Sequence, residues 1–129
     1  MWTALIKQLQ HHQRFIISSH QNPDCDALGS ELALAYHLMS LNKDVLILNS
    51  DSTPPEYRFL DPDNHLQVYA ENKHKQAMRQ TDAIIVLDAS SGWDRLGRVG
   101  EALAKIDAHG ICIDHHLAPD PFVATMYVD

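Results

Sequence analysis

Basic residues, cysteines and long apolar runs are all scarce in this sequence. Its 129 residues include 10 Lys and Arg against 17 Asp and Glu. This acidic balance argues against binding of long duplex nucleic acid, which needs basic side chains to neutralise phosphates. Short or single phosphorylated ligands remain compatible with it. The apolar runs fall far short of the ~20 residues that a membrane helix requires, so we expect no membrane partner.

The two cysteines, Cys25 and Cys112, allow one pair at most. Both lie in apolar or motif segments, so they do not form the disulfide framework of a secreted protein. Residues 1–13 have apolar side chains at helical spacing, but they lack the cationic start and unbroken apolar stretch of a signal peptide. We therefore expect reduced thiols, a cytoplasmic location and one domain, which the chain length fits.

Several common catalytic signatures are also missing from the sequence. It contains no glycine-rich phosphate loop and no paired-cysteine zinc motif. Ser18, Ser19 and Ser30 do not form a nucleophile elbow. These absences leave the acids and histidines as the candidates for chemistry.

Short apolar runs rich in Ile and Val alternate with stretches of helical periodicity. Such runs are typical of strands covered on both faces, which belong mostly to parallel sheets. The alternation predicts an open, mainly parallel α/β sheet with helices on both faces. The predicted strands are 15–18, 45–48, 83–87 and 111–113, followed by a final strand within 122–128, and the main predicted helices are 27–41 and 99–106.

Acids and histidines follow three of these strands, where ligands of open parallel sheets bind. Carboxylates and imidazoles at such an edge can hold two divalent ions, which neutralise a phosphate ester and activate water for its hydrolysis. Two divalent cations are therefore the expected cofactors. The predicted metal ligands are His20, Asp24, Asp26, Asp88 and His115, with Asp114 and His116 beside them.

Two of these acids have structural alternatives. Asp26 could be only the N-cap of a helix that begins at Ala27, where its oxygen would accept a free N–H. Asp88 could cap a turn that faces Ser90 and Ser91. A carboxylate directly after a buried strand is nevertheless costly unless it is paired or bound to a cation, and the combination of motifs favours metal binding.

These motifs resemble those of the DHH phosphoesterases, named for the triplet Asp114-His115-His116. The family's first motif is matched by residues 20–30, HQNPDCDALGS. The PEYRFL segment at 55–60 and the DRLG segment at 94–97 are similar to segments of the bacterial nanoRNase/pAp-phosphatase group. The resemblance extends over residues 12–129.

The resemblance implies roles for seven residues. His20 and Asp24 would hold one manganese, Asp26 and His115 the other, and Asp88 would bridge them. His116 would contact the scissile phosphate, and Asp114 would orient a histidine. In the mechanism that we expect, Arg95 or nearby basic groups steady the phosphoryl oxygens together with His116. For Arg95 the alternative is a structural or solvated residue in the loop 90–97.

Two departures from the family pattern affect these expectations. Cys25 replaces a frequent glycine, which is tolerable if the backbone there does not need a positive φ. The family also has a fourth metal-binding aspartate and a C-terminal substrate domain, which 129 residues leave no room for. We therefore expect residues 1–129 to be a truncated DHH domain that binds metal with weak or no turnover, and Asp129 is not taken as the missing ligand.

The expected function is manganese-dependent hydrolysis of short oligonucleotides or of 3'-phosphoadenosine 5'-phosphate (pAp). Within the family the alternatives are a cyclic-dinucleotide phosphodiesterase, a single-strand exonuclease and a manganese pyrophosphatase. A non-catalytic, metal-stabilised module that binds a nucleotide or a partner is the alternative of another class. A homodimer is also possible, because a truncated sheet would expose an edge strand.

Overall fold

A computed structural model describes residues 2–89, 91–116 and 121–128. These residues form four α-helices and six β-strands. The helices are α1 (Trp2–His11), α2 (Cys25–Ser40), α3 (Glu71–Gln80) and α4 (Arg98–Leu103). The strands are β1 (Arg14–Ser18), β2 (Asp44–Asn49), β3 (Leu66–Val68), β4 (Ala83–Leu87), β5 (His109–Asp114) and β6 (Thr125–Val128). Two short 3-10 segments, Pro55–Leu60 and Trp93–Leu96, lie in the connections.

The six strands form one sheet in the order β3-β2-β1-β4-β5-β6, and every neighbouring pair is parallel. The chain moves outward from β1 in one direction as far as β3, and then returns to the other side of β1 with β4. The strand order therefore reverses between β1 and β4. Open α/β sheets bind ligands beyond the carboxyl ends of the strands at such a switch point.

Two apolar cores cover the two faces of the sheet. Alternate side chains of β1 separate to opposite faces, with Ile17 in one core and Ile16 in the other. The helices α1 and α2 contribute buried residues such as Leu5 and Leu32 to the first core. The second core takes Met78 from α3, together with residues of α4. These observations confirm the predicted open α/β fold with helices on both faces.

The predicted boundaries differ from the structure mainly at weakly apolar elements. β3 has three residues and α3 buries only His74 and Met78, so neither has the apolar pattern that would have revealed it. The strand expected within 122–128 is shorter and covers Thr125–Val128. The second helix begins at Cys25 rather than residue 27, because Asp24 caps it. Within the described residues, no helix has the length and apolar character needed to span a membrane.

Candidate metal centre

The loop between β1 and α2 carries three of the predicted ligands. Asp24 is the N-cap of α2, and its Oδ1 accepts the Ala27 N–H at 2.9 Å. The alternative assignment of the cap to Asp26 was therefore wrong, since the helix begins two residues earlier than expected. Asp26 lies in the first helical turn, with 57% of its side chain exposed. Capping leaves the second oxygen of Asp24 available to another partner.

The backbone of this loop differs from expectation at one residue and agrees at another. Asn22 precedes a proline, which favours an extended backbone, yet its φ is +53°. Its N–H donates to Asp51 Oδ2 at 2.7 Å, which ties the loop to the end of β2. Cys25 is the first residue of α2 and has no positive φ. The condition for replacing the family's glycine is thus met.

A second segment braces the same loop from the side. The Gln21 N–H donates to the carbonyl of Arg95 at 2.7 Å. Gly97 has a φ of +73°, a backbone conformation that favours glycine, and a Cβ there would lie 2.8 Å from Gln21 Oε1. The Arg95 side chain is exposed, and no ion pair joins it to the predicted ligands among the described residues. The structure thus gives Arg95 a backbone role, and its contact with phosphate stays a prediction.

Asp88 lies at the centre of the predicted ligands, directly after β4. It is 5% exposed and has a φ of +59°, a conformation that is unusual for a residue other than glycine and is found often at functional sites. Its N–H donates to the Ile113 carbonyl at 3.1 Å, which holds this turn against β5. One carboxylate oxygen, Oδ2, lies 3.5 Å from His20 Nε2. The other, Oδ1, lies 3.1 Å from His115 Nε2 and 3.4 Å from His116 Nδ1.

The triplet at the end of β5 completes the group. His115 Nε2 lies 3.0 Å from Asp26 Oδ2, so carboxylates from two different segments converge on this one nitrogen. Asp114 is buried, and its Oδ1 accepts the His115 backbone N–H at 2.7 Å. The same oxygen lies 2.6 Å from His116 Nδ1. Asp114 thereby fixes both the backbone and one imidazole of the triplet.

The electrostatics of this site reflect an excess of buried negative charge. Burial raises the pKa of Asp88, and the nearby Asp26 carboxylate raises it further. The hydrogen bond to Asp26 raises the pKa of His115, although burial of the ring opposes this effect. The imidazoles thus offset part of a charge that divalent cations would neutralise more fully.

The residues present fit a two-metal centre. Two sets of ligand atoms each lie within 4.8 Å of one another, and Asp88 belongs to both. One set is His20, Asp24 and Asp88, and the other is Asp88, Asp114, His115 and His116. Asp26 joins the second set through His115. Carboxylates and imidazoles together suit divalent cations such as manganese and zinc.

A buried polar network beside this site was not predicted from the sequence. Glu31 of α2 is fully buried, and its Oε1 accepts a hydrogen bond from Asn49 Nδ2 at 2.9 Å. Asn49 Oδ1 in turn accepts the Ser19 N–H at 3.3 Å, one residue before His20. Burial raises the pKa of Glu31 to about 8. Asn49 is itself a polar residue at a strand end, so the rule used for the metal ligands would have identified it.

Placement of the other predicted features can be stated briefly. Ser90, named in the alternative for Asp88, and Asp129 lie outside the described residues. Cys25 and Cys112 are both free thiols, the first exposed and the second buried. Burial raises the pKa of the Cys112 thiol to about 12. Neither cysteine belongs to the cluster of ligands described above.

Comparison with known proteins agrees with this geometry. The family described as "DHH family, N-terminal domain" matches residues 14–128. A probable manganese-dependent inorganic pyrophosphatase of Enterococcus faecalis is 24% identical over 102 residues, which cover 76% of this chain and 32% of that protein. A crystal structure of an exopolyphosphatase-related protein from Bacteroides fragilis superimposes with a TM-score of 0.89 at 25% identity, over 98% of this chain and 37% of that one.

The chain thus spans about a third of the length of these two relatives. The family match covers nearly all of the chain, including all three ligand-bearing segments. The chain therefore belongs to the DHH family, of which it carries the N-terminal domain.

Proposed function

We propose that this chain is the metal-binding part of a manganese-dependent phosphoesterase that hydrolyses short oligonucleotides or pAp in the cytoplasm. The observation that carries the proposal is the position of Asp88. Each of its carboxylate oxygens faces a different set of potential ligands, His20 on one side and the histidines of the triplet on the other. A buried, shared carboxylate of this kind is well suited to bridge two cations.

In this proposal His20, Asp24 and Asp88 would hold one manganese, and Asp26, Asp88 and His115 would hold the other. Two such ions would neutralise charge on a phosphoryl group and make water nucleophilic at neutral pH. The choice of manganese is supported by the donor set and by the printed name of the Enterococcus relative.

The remaining residues of the site act on the substrate. His116 is held through Nδ1 by the buried Asp114, which leaves Nε2 as the ring atom available to a phosphoryl oxygen. With the Nδ1–H group donating to Asp114, Nε2 can donate to a phosphoryl oxygen when it also carries a proton. We assign Arg95, exposed on the segment that braces the β1–α2 loop, as a basic group for the substrate phosphates.

The main rival is an enzyme for inorganic phosphates. The printed names of the two relatives refer to pyrophosphate and polyphosphate, and the Bacteroides protein shares this fold. Cyclic-dinucleotide cleavage, single-strand exonuclease activity and metal binding without turnover are further alternatives. All of them use the same cluster of ligands, so the substrate must separate them.

The test compares turnover of four substrates by the manganese-loaded protein: pAp, a linear dinucleotide, a cyclic dinucleotide and pyrophosphate. We expect pAp or the linear dinucleotide to be hydrolysed fastest and Asp88→Asn to abolish the activity. Asp82→Asn is the matched control, because Asp82 flanks the same strand at its opposite end. Faster hydrolysis of pyrophosphate than of either organic ester would overturn the proposal.

Calorimetry with manganese separates metal binding from turnover. The wild-type chain should bind two ions at neutral pH, and Asp88→Asn should weaken both sites. We expect the chain alone to turn over slowly relative to any longer native protein that contains it, because it spans about a third of its relatives. Equal rates for the two proteins would contradict this expectation, and absence of manganese binding would contradict the metal centre itself.

A further inference from the structure

A cavity of about 460 Å³ opens directly beside the metal centre. It lies between the start of α1, the first half of α2 and the carboxyl ends of β4 and β5. Its volume is within the range of small-molecule binding sites. Its polar end is formed by Asp26, Asp88, Asp114 and His115. The apolar residues of its lining are Trp2, Ala33, Leu34, Leu87 and Ile113, and Ala33 and Leu34 of α2 mark its apolar end.

One face of α2 connects the two ends of the cavity. Three lining residues follow Asp26 at spacings of four, seven and eight: Ser30, Ala33 and Leu34. At these spacings the four side chains lie along the same side of the helix. At 1.5 Å per residue this stripe is about 12 Å long. It passes from a carboxylate through a hydroxyl to apolar side chains. A ligand along it would therefore meet charge at one end only.

Trp2 forms the outer wall of the apolar end. It belongs to the first turn of α1 and leaves 49% of its surface exposed, although it is the largest side chain that lines the cavity. An exposed indole has a flat π-face on which an aromatic ring can stack, and such stacking tolerates different bases.

We infer that this apolar end binds the nucleobase of a phosphate ester whose phosphate lies at the metal centre. The inference rests on the proposed phosphoesterase function and specifies the chemical class of its substrate. The base stacks on Trp2 and packs against Leu34 and Ile113. The ribose then lies near Ser30, between the base and the phosphate.

The same cavity argues against an inorganic substrate. Pyrophosphate and polyphosphate carry charge along their whole length and have no apolar surface to bury. The side chains of Trp2, Leu34 and Ile113 would contribute nothing to their recognition, while the acids at the other end would repel them in the absence of cations. A substrate with a charged end and an aromatic end matches both halves of the cavity.

The test measures equilibrium binding, so it does not depend on turnover. Adenosine 5'-monophosphate, ribose 5-phosphate and inorganic phosphate are titrated into the manganese-loaded protein by calorimetry. We expect adenosine 5'-monophosphate to bind more tightly than the two ligands without a base. Trp2→Ala should weaken binding of the nucleotide roughly 10-fold and leave ribose 5-phosphate unchanged.

Two further variants control this measurement. Tyr36→Ala removes another exposed aromatic residue, one that lies on α2 outside the cavity, and should leave all three affinities unchanged. Ala33→Phe fills the apolar end from an exposed position and should reduce nucleotide binding selectively. It serves as an independent probe should Trp2→Ala alter the folding of α1.

The outcomes distinguish this inference from the proposed function. The nucleobase site is refuted, whatever the enzyme hydrolyses, if adenosine 5'-monophosphate and ribose 5-phosphate bind equally. It is also refuted if neither Trp2→Ala nor Ala33→Phe weakens nucleotide binding more than binding of ribose 5-phosphate. If the nucleotide binds through Trp2 but only pyrophosphate is hydrolysed, the site is supported and the proposed function fails. If neither the nucleotide nor inorganic phosphate binds, the nucleobase site and the proposed function are both refuted.

Discussion

The two ends of β4 carry the same kind of residue in opposite circumstances. Asp82 precedes the strand and Asp88 follows it, and histidines lie near both. The Oδ2 atom of Asp82 accepts the backbone N–H groups of Arg14 and Gln13, at 2.8 and 3.0 Å. These hydrogen bonds lower the pKa of Asp82. Asp88 has the opposite shift, because burial and the nearby Asp26 carboxylate raise its pKa.

The difference shows why acids and histidines in proximity do not by themselves define a metal site. At the amino edge the protein's own backbone satisfies the carboxylate, and Asp82 remains exposed to water. The neighbouring His12 has a lowered pKa, because its ring is partly buried and stacks on His109. At the carboxyl edge several acids are gathered, and no backbone N–H in the described part of the chain donates to the Asp88 carboxylate. A cation from outside the chain would resolve that imbalance.

Added manganese should have the largest effect on the difference between Asp82 and Asp88, which is measured as a change in the free energy of unfolding. An ion at about 1,000 times its dissociation constant should raise the free energy of unfolding by about 4 kcal/mol. Asp88→Asn should lose most of this increase, whereas Asp82→Asn should retain it. Urea unfolding with and without manganese measures the effect. Equal stabilisation of both variants would show that Asp88 does not bind the ion.

Asp114→Asn tests the next largest effect. Partners that orient a metal site from outside typically contribute 10–100-fold to activity or metal affinity, and Asp114 holds His116 through a 2.6 Å contact. We expect kcat for pAp to fall by about this factor while two manganese ions still bind. Steady-state kinetics and calorimetry on the same preparation measure both quantities. Loss of one bound ion would instead make Asp114 a direct ligand.

A third acid, Glu31, shows the effect of burial on the pKa of a carboxyl group without the neighbouring carboxylates that act on Asp88. Its pKa is raised to about 8 by burial, so between its ordinary value of 4.5 and 8 the folded protein holds a proton that the unfolded chain releases. Its contribution to stability is therefore complete at low pH and is lost as the pH rises towards 8. The loss should approach about 1.4 kcal/mol per pH unit.

Glu31→Gln removes this titration while it keeps an oxygen for Asn49 to donate to. Its stability relative to the wild type should therefore increase between pH 6 and pH 7. Urea unfolding at the two pH values, without metal, gives the difference. A constant difference would mean that Glu31 does not carry a raised pKa in the folded protein.

These contrasts also explain how far the sequence could predict the structure. The apolar runs of β1, β2, β4 and β5 were visible because both faces of each central strand are covered. The ligands were visible because parallel strands deliver their following residues to one edge. β3 and α3 were missed because a short strand and a mostly polar helix leave almost no apolar pattern.

Within the site, sequence identified the acids and histidines but not all of their contacts. Whether Asp24 or Asp26 is the N-cap depends on where α2 begins. The sequence leaves this start ambiguous, because the two acids are separated by a single residue. The backbone role of Arg95 and the position of Trp2 in the cavity beside the metal centre arise from packing between segments distant in sequence. No local pattern encodes such contacts.

The smallest expected effect belongs to the amino edge. Asp82→Asn should reduce the free energy of unfolding by about 0.5–1 kcal/mol at neutral pH, because two backbone N–H groups lose a charged acceptor. The cost is small because the site is exposed to water. Because the pKa of Asp82 is lowered in the folded protein, its contribution is present above the ordinary pKa and disappears as the pH falls through the folded value. Wild type and variant should therefore converge in acid, as measured by urea unfolding at neutral pH and near pH 3.

Metal-free Asp88→Asn should not show this loss, because no backbone N–H among the described residues donates to the Asp88 carboxylate. If both variants lost the same stability without metal, the two ends of β4 would not differ as the hydrogen bonds indicate.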